Sequence, residues 1–393
     1  MSNKIKDNWF DTILYLPLIS LFTAAFIVPG WDKKIVVLFS VSIIAIICKY
    51  GFKTIRENYK DPYVVILLIT TLYGSFLYET IGYASGEIRT LIAISLFTLC
   101  FPKDKISLKC LPHFLLLSAI ISCCYYLYIK FYLDIPRGAE PINPIPYSIA
   151  LCLFSIVSLY FFFKKKNNLI LLAFLIFSIT IVLTETRGAI LTLFISLIFL
   201  LFLKIKEKRN LKKIITTTVI GSIITLVFSY GIVNARVNET VAEIKSINHG
   251  NYNTSIGLRL QMWKASPKLV SINPAFGLGN QHKEELQKLY KNGDIQESLA
   301  LYAPTHYHNQ YIDKAIKSGV IGLILFLLVI YYPAYYYYKN KKNRNSDEAQ
   351  LTFTLTLAFS IACLTDTPFS QSFTLLPLLL LFYFILSKSK LDN

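Results

Sequence analysis

"APTHYHNQYIDKAIKSGVIGLILFLLVIYYP", residues 303–333, places His306 and His308 one residue apart and then turns apolar. The apolar run is long enough to cross a bilayer, which takes about 20 residues of helix. The chain has only 5 histidines in 393 residues, so two at the mouth of one span is a concentration that asks for a reason. This stretch decides the class of fold, a helix that spans a membrane, and raises the question of what imidazoles do at its surface.

Composition agrees. The chain is 54% hydrophobic and 16% charged, with mean hydropathy +0.51, whereas soluble domains carry about 25% charged residues. The net charge of +17 does not point to nucleic acid, because the basic residues sit in short clusters between apolar runs and form no continuous face. The 7 cysteines fall mostly inside apolar runs and have no metal-ligand spacing, so they read as small apolar side chains. "MSNKIKDNWFDTILYLPLISLFTAAFIVPG" (1–30) has a basic start but no convincing cleavage site, which reads as an uncleaved first span.

Apolar stretches recur near 11–29, 34–50, 62–79, 88–101, 111–133, 145–163, 168–184, 188–203, 213–233, 313–338, 350–365 and 372–387. The expectation is an all-α polytopic membrane protein of about 12 transmembrane helices. Basic clusters alternate between the connections. Lys49 to Lys60, Lys103 to Lys109, Lys164 to Lys166, Lys204 to Lys213 and Lys339 to Arg344 mark one side, and the positive-inside rule puts that side and both termini in the cytoplasm. "YYPAYYYYKNKK" then reads as an aromatic belt at the inner interface.

One outer connection differs. Residues 234–309 form a polar segment far longer than the usual helix–helix connection of about 2–8 residues. "ETVAEIKSI" and "SIGLRLQMWKASPKLV" have apolar residues at helical spacing, so the segment reads as a small helical lid. In "NPAFGLGN", Gly277 and Gly279 mark a turn that needs backbone angles closed to other residues. The expected organisation is spans 1–9 over residues 1–233, the loop over 234–309, and spans 10–12 over 310–393.

The derived topology puts Arg137, Arg187, Arg259, His308 and Asp366 on the outer side. Arg187 in "TETRGAI" is an arginine snorkelling to water, a local ion-pair partner of Glu185, or a planar fork for phosphate oxygens. Arg259 is either an exposed helix charge or an anion ligand. His308, held at a helix entry, suits a general base; His306, less constrained, reads as a plain polar residue. Asp366 in "TDTP" either orients a neighbour or caps a helix. Arg137 is a cation in a proline-rich turn. HxH alone is a poor metal site and the outer acids are scattered, so no metal and no cofactor are expected. No GxxxxGK[ST] occurs, which argues against nucleotide hydrolysis.

With "TRGA" (186–189), "GLRLQMW" (257–263), "NPAFGLGN" (273–280) and "HYHNQYIDKAIKSGVIGLILF" (306–326), the chain resembles the O-antigen ligase family, which shares its fold with O-antigen polymerases and O-oligosaccharyltransferases. The resemblance implies a GT-C-like architecture and a glycosyltransferase at the periplasmic face of the inner membrane, working without metal or nucleotide. It implies an undecaprenyl diphosphate-linked glycan donor and a lipid A-core acceptor. Carried onto this sequence, Arg187 and Arg259 neutralise the diphosphate and His308 is the catalytic imidazole, with Asp366 supporting. Arg137 is added on electrostatic grounds alone. A polymerase or protein-directed transferase shares the donor. A transporter fits less well, since polar residues gather at one rim and not at the midplane.

Overall fold

The computed structural model describes residues 10, 12–83, 85–106, 110–165, 167–206, 230–231 and 234–391. Among these, every regular element is a helix. The first group comprises α1 (Leu16–Phe22), α2 (Trp31–Tyr50), α3 (Pro62–Ile81), α4 (Ser85–Cys100), α5 (Leu111–Leu127), α6 (Pro144–Lys165), α7 (Asn168–Leu183) and α8 (Arg187–Lys206). Then come α9 (234–248), α10 (Ser255–Ile272), α11 (His282–Lys291), α12 (Glu297–Tyr302), α13 (Gln310–Lys339), α14 (Asp347–Thr365) and α15 (Ser372–Leu391). The all-α polytopic reading holds.

Seven of the described helices are long and apolar enough to cross a membrane: α3, α5 with its extension to Tyr132, α6, α8, α13, α14 and α15. α7 is apolar but shorter, and α2 and α4 coincide with two further expected spans. The first expected span, 11–29, is not one helix. Pro17 opens α1 and cannot donate the amide a continuous helix would need, and a 3-10 turn follows at Ala24–Phe26. The expected span at 213–233 lies outside the described residues apart from Tyr230 and Gly231.

A helix that is apolar all round belongs inside a bundle. α6 and α15 are those helices here, with 94% and 89% of their apolar windows buried. Aromatic rings knit α6 to its neighbours: Phe154 stacks on Phe22 at 5.0 Å and Tyr147 on Phe373 at 5.7 Å. The segment between α8 and α13 has a core of its own, in which Met262, Leu269, Leu286, Leu299, Tyr307 and Ile316 are buried together.

α13 is broken at Gly319, where φ is +65°. The "NPAFGLGN" loop fills the break. Leu278 N–H donates to the Ile316 carbonyl at 2.8 Å, Val320 N–H to the Pro274 carbonyl at 2.8 Å, and the Tyr73 hydroxyl to the Ser318 carbonyl at 2.8 Å. Backbone groups freed by a kink at membrane depth need partners inside the protein, and this loop supplies them. Gly277 and Gly279 have φ of +75° and +50°, as the turn reading expected. A Cβ on Gly277 would lie 2.5 Å from the Gly319 nitrogen, so backbone meets backbone here.

Candidate active site

Tyr307, the residue between the two histidines, is fully buried and pinned at three points. Its N–H donates to the Asp313 carboxylate at 3.2 Å, its carbonyl accepts from Trp263 Nε1 at 3.0 Å, and its hydroxyl meets His282 Nδ1 at 3.1 Å. The two histidines that flank this anchored tyrosine share one side of it, with ring centroids 4.3 Å apart.

On that side stands Asp366. Its Oδ1 lies 3.6 Å from His306 Nε2 and 4.0 Å from His308 Nδ1. It also accepts the Thr367 N–H at 2.6 Å, so the carboxylate both shapes the turn after α14 and faces the imidazoles. His308 has φ of +47°, a left-handed conformation that strains a residue with a Cβ. Fixed neighbours hold it there: Tyr307 before it, and after it Asn309, whose Oδ1 caps α13 by accepting from Tyr311 and Ile312. Its Nδ1 is buried with no hydrogen-bond partner. Burial first, then His306 and Arg259, push the His308 pKa down to about 3 against the opposite pull of Asp313. The ring is neutral near pH 7, and its buried nitrogen has no partner.

Arg259 is not an exposed charge. It lies one helical turn before Trp263, on the α10 face that grips Tyr307, and its Nε is buried without a partner. Burial lowers its pKa, Asp366, Tyr302 and Glu243 pull it back up, and Arg187 lowers it further. Those influences place Arg259 within electrostatic reach of Asp366, Arg187 and His308 at once.

Arg187 begins α8 beside the same turn. At Gly188, an added Cβ would lie 2.6 Å from Thr365 Oγ1, the residue before Asp366, so only glycine allows α8 to approach this closely. The guanidinium does not pair with Glu185, as a local reading would have it. Nη1 donates to Glu243 at 3.1 Å and Nη2 to Glu239 at 2.9 Å, both carboxylates on α9. Glu185 belongs instead to Lys130 and Arg236. Although burial works the other way, these two cations hold its carboxyl below the usual range. Arg137 is exposed in its proline-rich turn, and among the described residues no hydrogen bond or ion pair ties it to this cluster.

Sequence reasoning passed over three participants. His282 showed no pattern but is the buried partner of the Tyr307 hydroxyl. His306 read as a plain polar residue, yet it faces Asp366. Lys314 forms a buried ion pair with Glu87, shared with the hydroxyl of Tyr83, while Ser370 Oγ donates to Glu87 at 3.2 Å. Gln310 joins this network to the 366–372 turn, accepting the Phe369 N–H at 2.8 Å. An ionisable residue about one turn into a span-forming helix was the available signal. A cleft of about 250 Å³ opens beside the turn, lined by Asp32, Asn143, Ser370, Gln371 and Ser372 among others.

Residues 171–327 match the family described as O-antigen ligase, a range that contains Arg187, Arg259, His306 and His308 and stops short of Asp366. Over 359 residues the chain is 29% identical to an uncharacterized protein of Haemophilus influenzae, covering 87% of this chain and 86% of that protein. Over 158 residues it is 24% identical to the O-antigen ligase of Escherichia coli, covering 39% of this chain and 37% of that protein.

Proposed function

We propose that this helical membrane protein, with its O-antigen ligase domain across residues 171–327, transfers O-antigen polysaccharide from undecaprenyl diphosphate to a sugar of the lipid A core. The observation that carries the reading is the strained, half-buried His308, aimed with Asp366 at one place and within the field of Arg259. The positive-inside pattern supports placing this end of the bundle at the periplasmic face of the inner membrane, with both termini in the cytoplasm.

In the proposed step, the acceptor hydroxyl gives its proton to the free His308 nitrogen while its oxygen bonds to the anomeric carbon. The bond from that carbon to the diphosphate oxygen breaks, and the electron pair leaves with undecaprenyl diphosphate. Arg259 and Arg187 stabilise the charge that builds there, more in the transition state than before it. These residues supply the base and the charge stabilisation, so the step as written draws on no metal. His306 has no role in it.

A ring with so low a pKa is a feeble base; burial is the chief cause, and His306 and then Arg259 add to it. A diphosphate seated against that guanidinium cancels part of its field and raises the His308 pKa, because a nearby anion favours the charged imidazolium. Basicity therefore arrives with the donor. The cleft beside the 366–372 turn offers carboxylate, amide and hydroxyl groups suited to sugar hydroxyls. Arg137, exposed and untethered, serves at most as an outlying cation for the approaching donor.

The test is the glycan profile of a deletion strain. Loss of a ligase strands long polymer on undecaprenyl diphosphate and leaves bare core; a single repeat on the core marks a polymerase and overturns the choice of acceptor. Complementation with His308→Ala should leave the deletion profile unchanged while the protein still reaches the membrane. Near-normal lipopolysaccharide from that variant removes the base assignment.

A further inference from the structure

We propose that His306, His308 and Asp366 form a binding site for a divalent transition-metal ion of the Zn²⁺ type, and that its occupancy arrests transfer. The sequence offered two donors in HxH; the fold adds a third from the far end of the chain. One ligand atom from each residue lies within 4.8 Å of the others, and His306 Nε2 and His308 Nδ1 stand 3.6 and 4.0 Å from Asp366 Oδ1. Tetrahedral zinc with bonds near 2.0–2.1 Å sets its ligands about 3.3 Å apart. The triad reaches that geometry by closing the gaps to Asp366 by about 0.3 and 0.7 Å and the widest separation, up to 4.8 Å, by about 1.5 Å, through side-chain rotation.

Two further observations point into the site. His308 Nδ1 is buried and unpartnered, facing the carboxylate. Thr305 Oγ1 lies 3.1 Å from His306 Nδ1, which orients that ring so that Nε2 faces Asp366. Such outer contacts to the non-ligating nitrogen are how metal-binding histidines are held. Two imidazoles and one carboxylate suit zinc and its neighbours in the first transition row better than Mg²⁺ or Ca²⁺, which prefer all-oxygen shells. His306 is partly exposed, with 30% of its side chain accessible, and gives the ion a route in. Arg259 opposes a dication here, so the ion comes and goes with its free concentration.

Binding does not depend on the transferase reading; the inhibitory consequence does, because the ion would take the nitrogen that accepts the proton. The experiment uses the full-length chain, purified without a histidine tag, with exposed Cys48, Cys110 and Cys124 alkylated so that thiols do not compete. Zn²⁺ titration calorimetry and Co²⁺ absorption should show one site, lost in His306→Ala and in Asp366→Asn. His306→Gln, with the wild-type unfolding temperature, guards against misfolding. In the transfer assay, Zn²⁺ should inhibit wild type reversibly with chelator, and His306→Ala, measured against its own metal-free rate, should need at least tenfold more Zn²⁺ for half inhibition, the range typical for losing a group that supports a metal. Equal Zn²⁺ binding by wild type and His306→Ala overturns the site. Binding that behaves as described, in a protein that transfers nothing, overturns the transferase reading and leaves the site standing.

Discussion

Gly277→Ala tests whether the break in α13 is what positions the imidazoles. The new Cβ would lie 2.5 Å from the Gly319 nitrogen and the Lys317 carbonyl carbon, where ordinary contacts begin at 3.4 Å, so the loop must retreat by nearly an ångström. Forcing alanine to φ of +75° costs about 1–2 kcal/mol. The retreat also breaks the Leu278–Ile316 and Val320–Pro274 hydrogen bonds, each worth about 1 kcal/mol net. The sum is about 3–4 kcal/mol. Gly293→Ala is the matched control: φ is +78° there, but nothing lies within 4 Å of its Cβ, so only the backbone strain applies. Thermal unfolding of both purified variants in one detergent should separate them by about 2 kcal/mol, the hydrogen-bond part alone. Transfer should fall about a hundredfold in Gly277→Ala, because the N-terminal part of α13 carries Asp313, which holds the histidine segment, and Gln310, which holds the turn that bears Asp366, and an ångström of misplacement has that effect on rate. Equal stabilities for the two variants, with full transfer by Gly277→Ala, would refute the reasoning.

Other perturbations probe the remaining supports. Trp263→Phe removes the donor to the Tyr307 carbonyl and should cost about 1–2 kcal/mol in unfolding experiments, with kcat falling more than KM rises if the residue acts through the position of Tyr307. Glu87→Gln strands the buried Lys314 ammonium and should cost about 3–5 kcal/mol; pairing it with Lys314→Met should recover most of the loss, and failure to recover would mean the pair is not the source. Glu239→Gln with Glu243→Gln should lower the KM for the lipid diphosphate severalfold, read by initial rates against donor concentration, and a raised KM would count the glutamates as part of the donor site.

The class of fold was legible because apolar length is a strong signal, and the turn at Gly277 and Gly279 because glycine has a conformational meaning. Arg187, Arg259 and His308 were legible as types on one side of the membrane, and the structure sets them around one turn. What the sequence hid is contact between distant segments. Nothing near Arg187 announces Glu239 and Glu243, since the nearest acid along the chain, Glu185, turns to Lys130 and Arg236 instead. The first span broke because Pro17 outweighed a continuous hydropathy signal. Asp366 as neighbour to both histidines depends on α8, α13 and α14 ending together, a property of packing that no local pattern encodes.

The double engagement of Arg187 bears on how a donor enters. A guanidinium with both terminal nitrogens on carboxylates looks spoken for, yet the bond to Glu239 is weakly held: 36% of the Arg187 side chain and 49% of Glu239 are exposed, and an exposed pair contributes about 0–1 kcal/mol. A diphosphate offers the same fork two oxygens with more charge, in a geometry that charge-assisted bidentate bonding favours. The exchange therefore runs toward the donor while costing little. Glu243 differs from Glu239, because its second oxygen accepts the Ile256 N–H at 2.9 Å, at the start of the helix that carries Arg259. An anion that displaces it gains a helix N-terminus as well as a guanidinium, and the two arginines then act on one ligand from adjoining helices. Glu243 thus marks, with its own carboxylate, where the phosphate belongs.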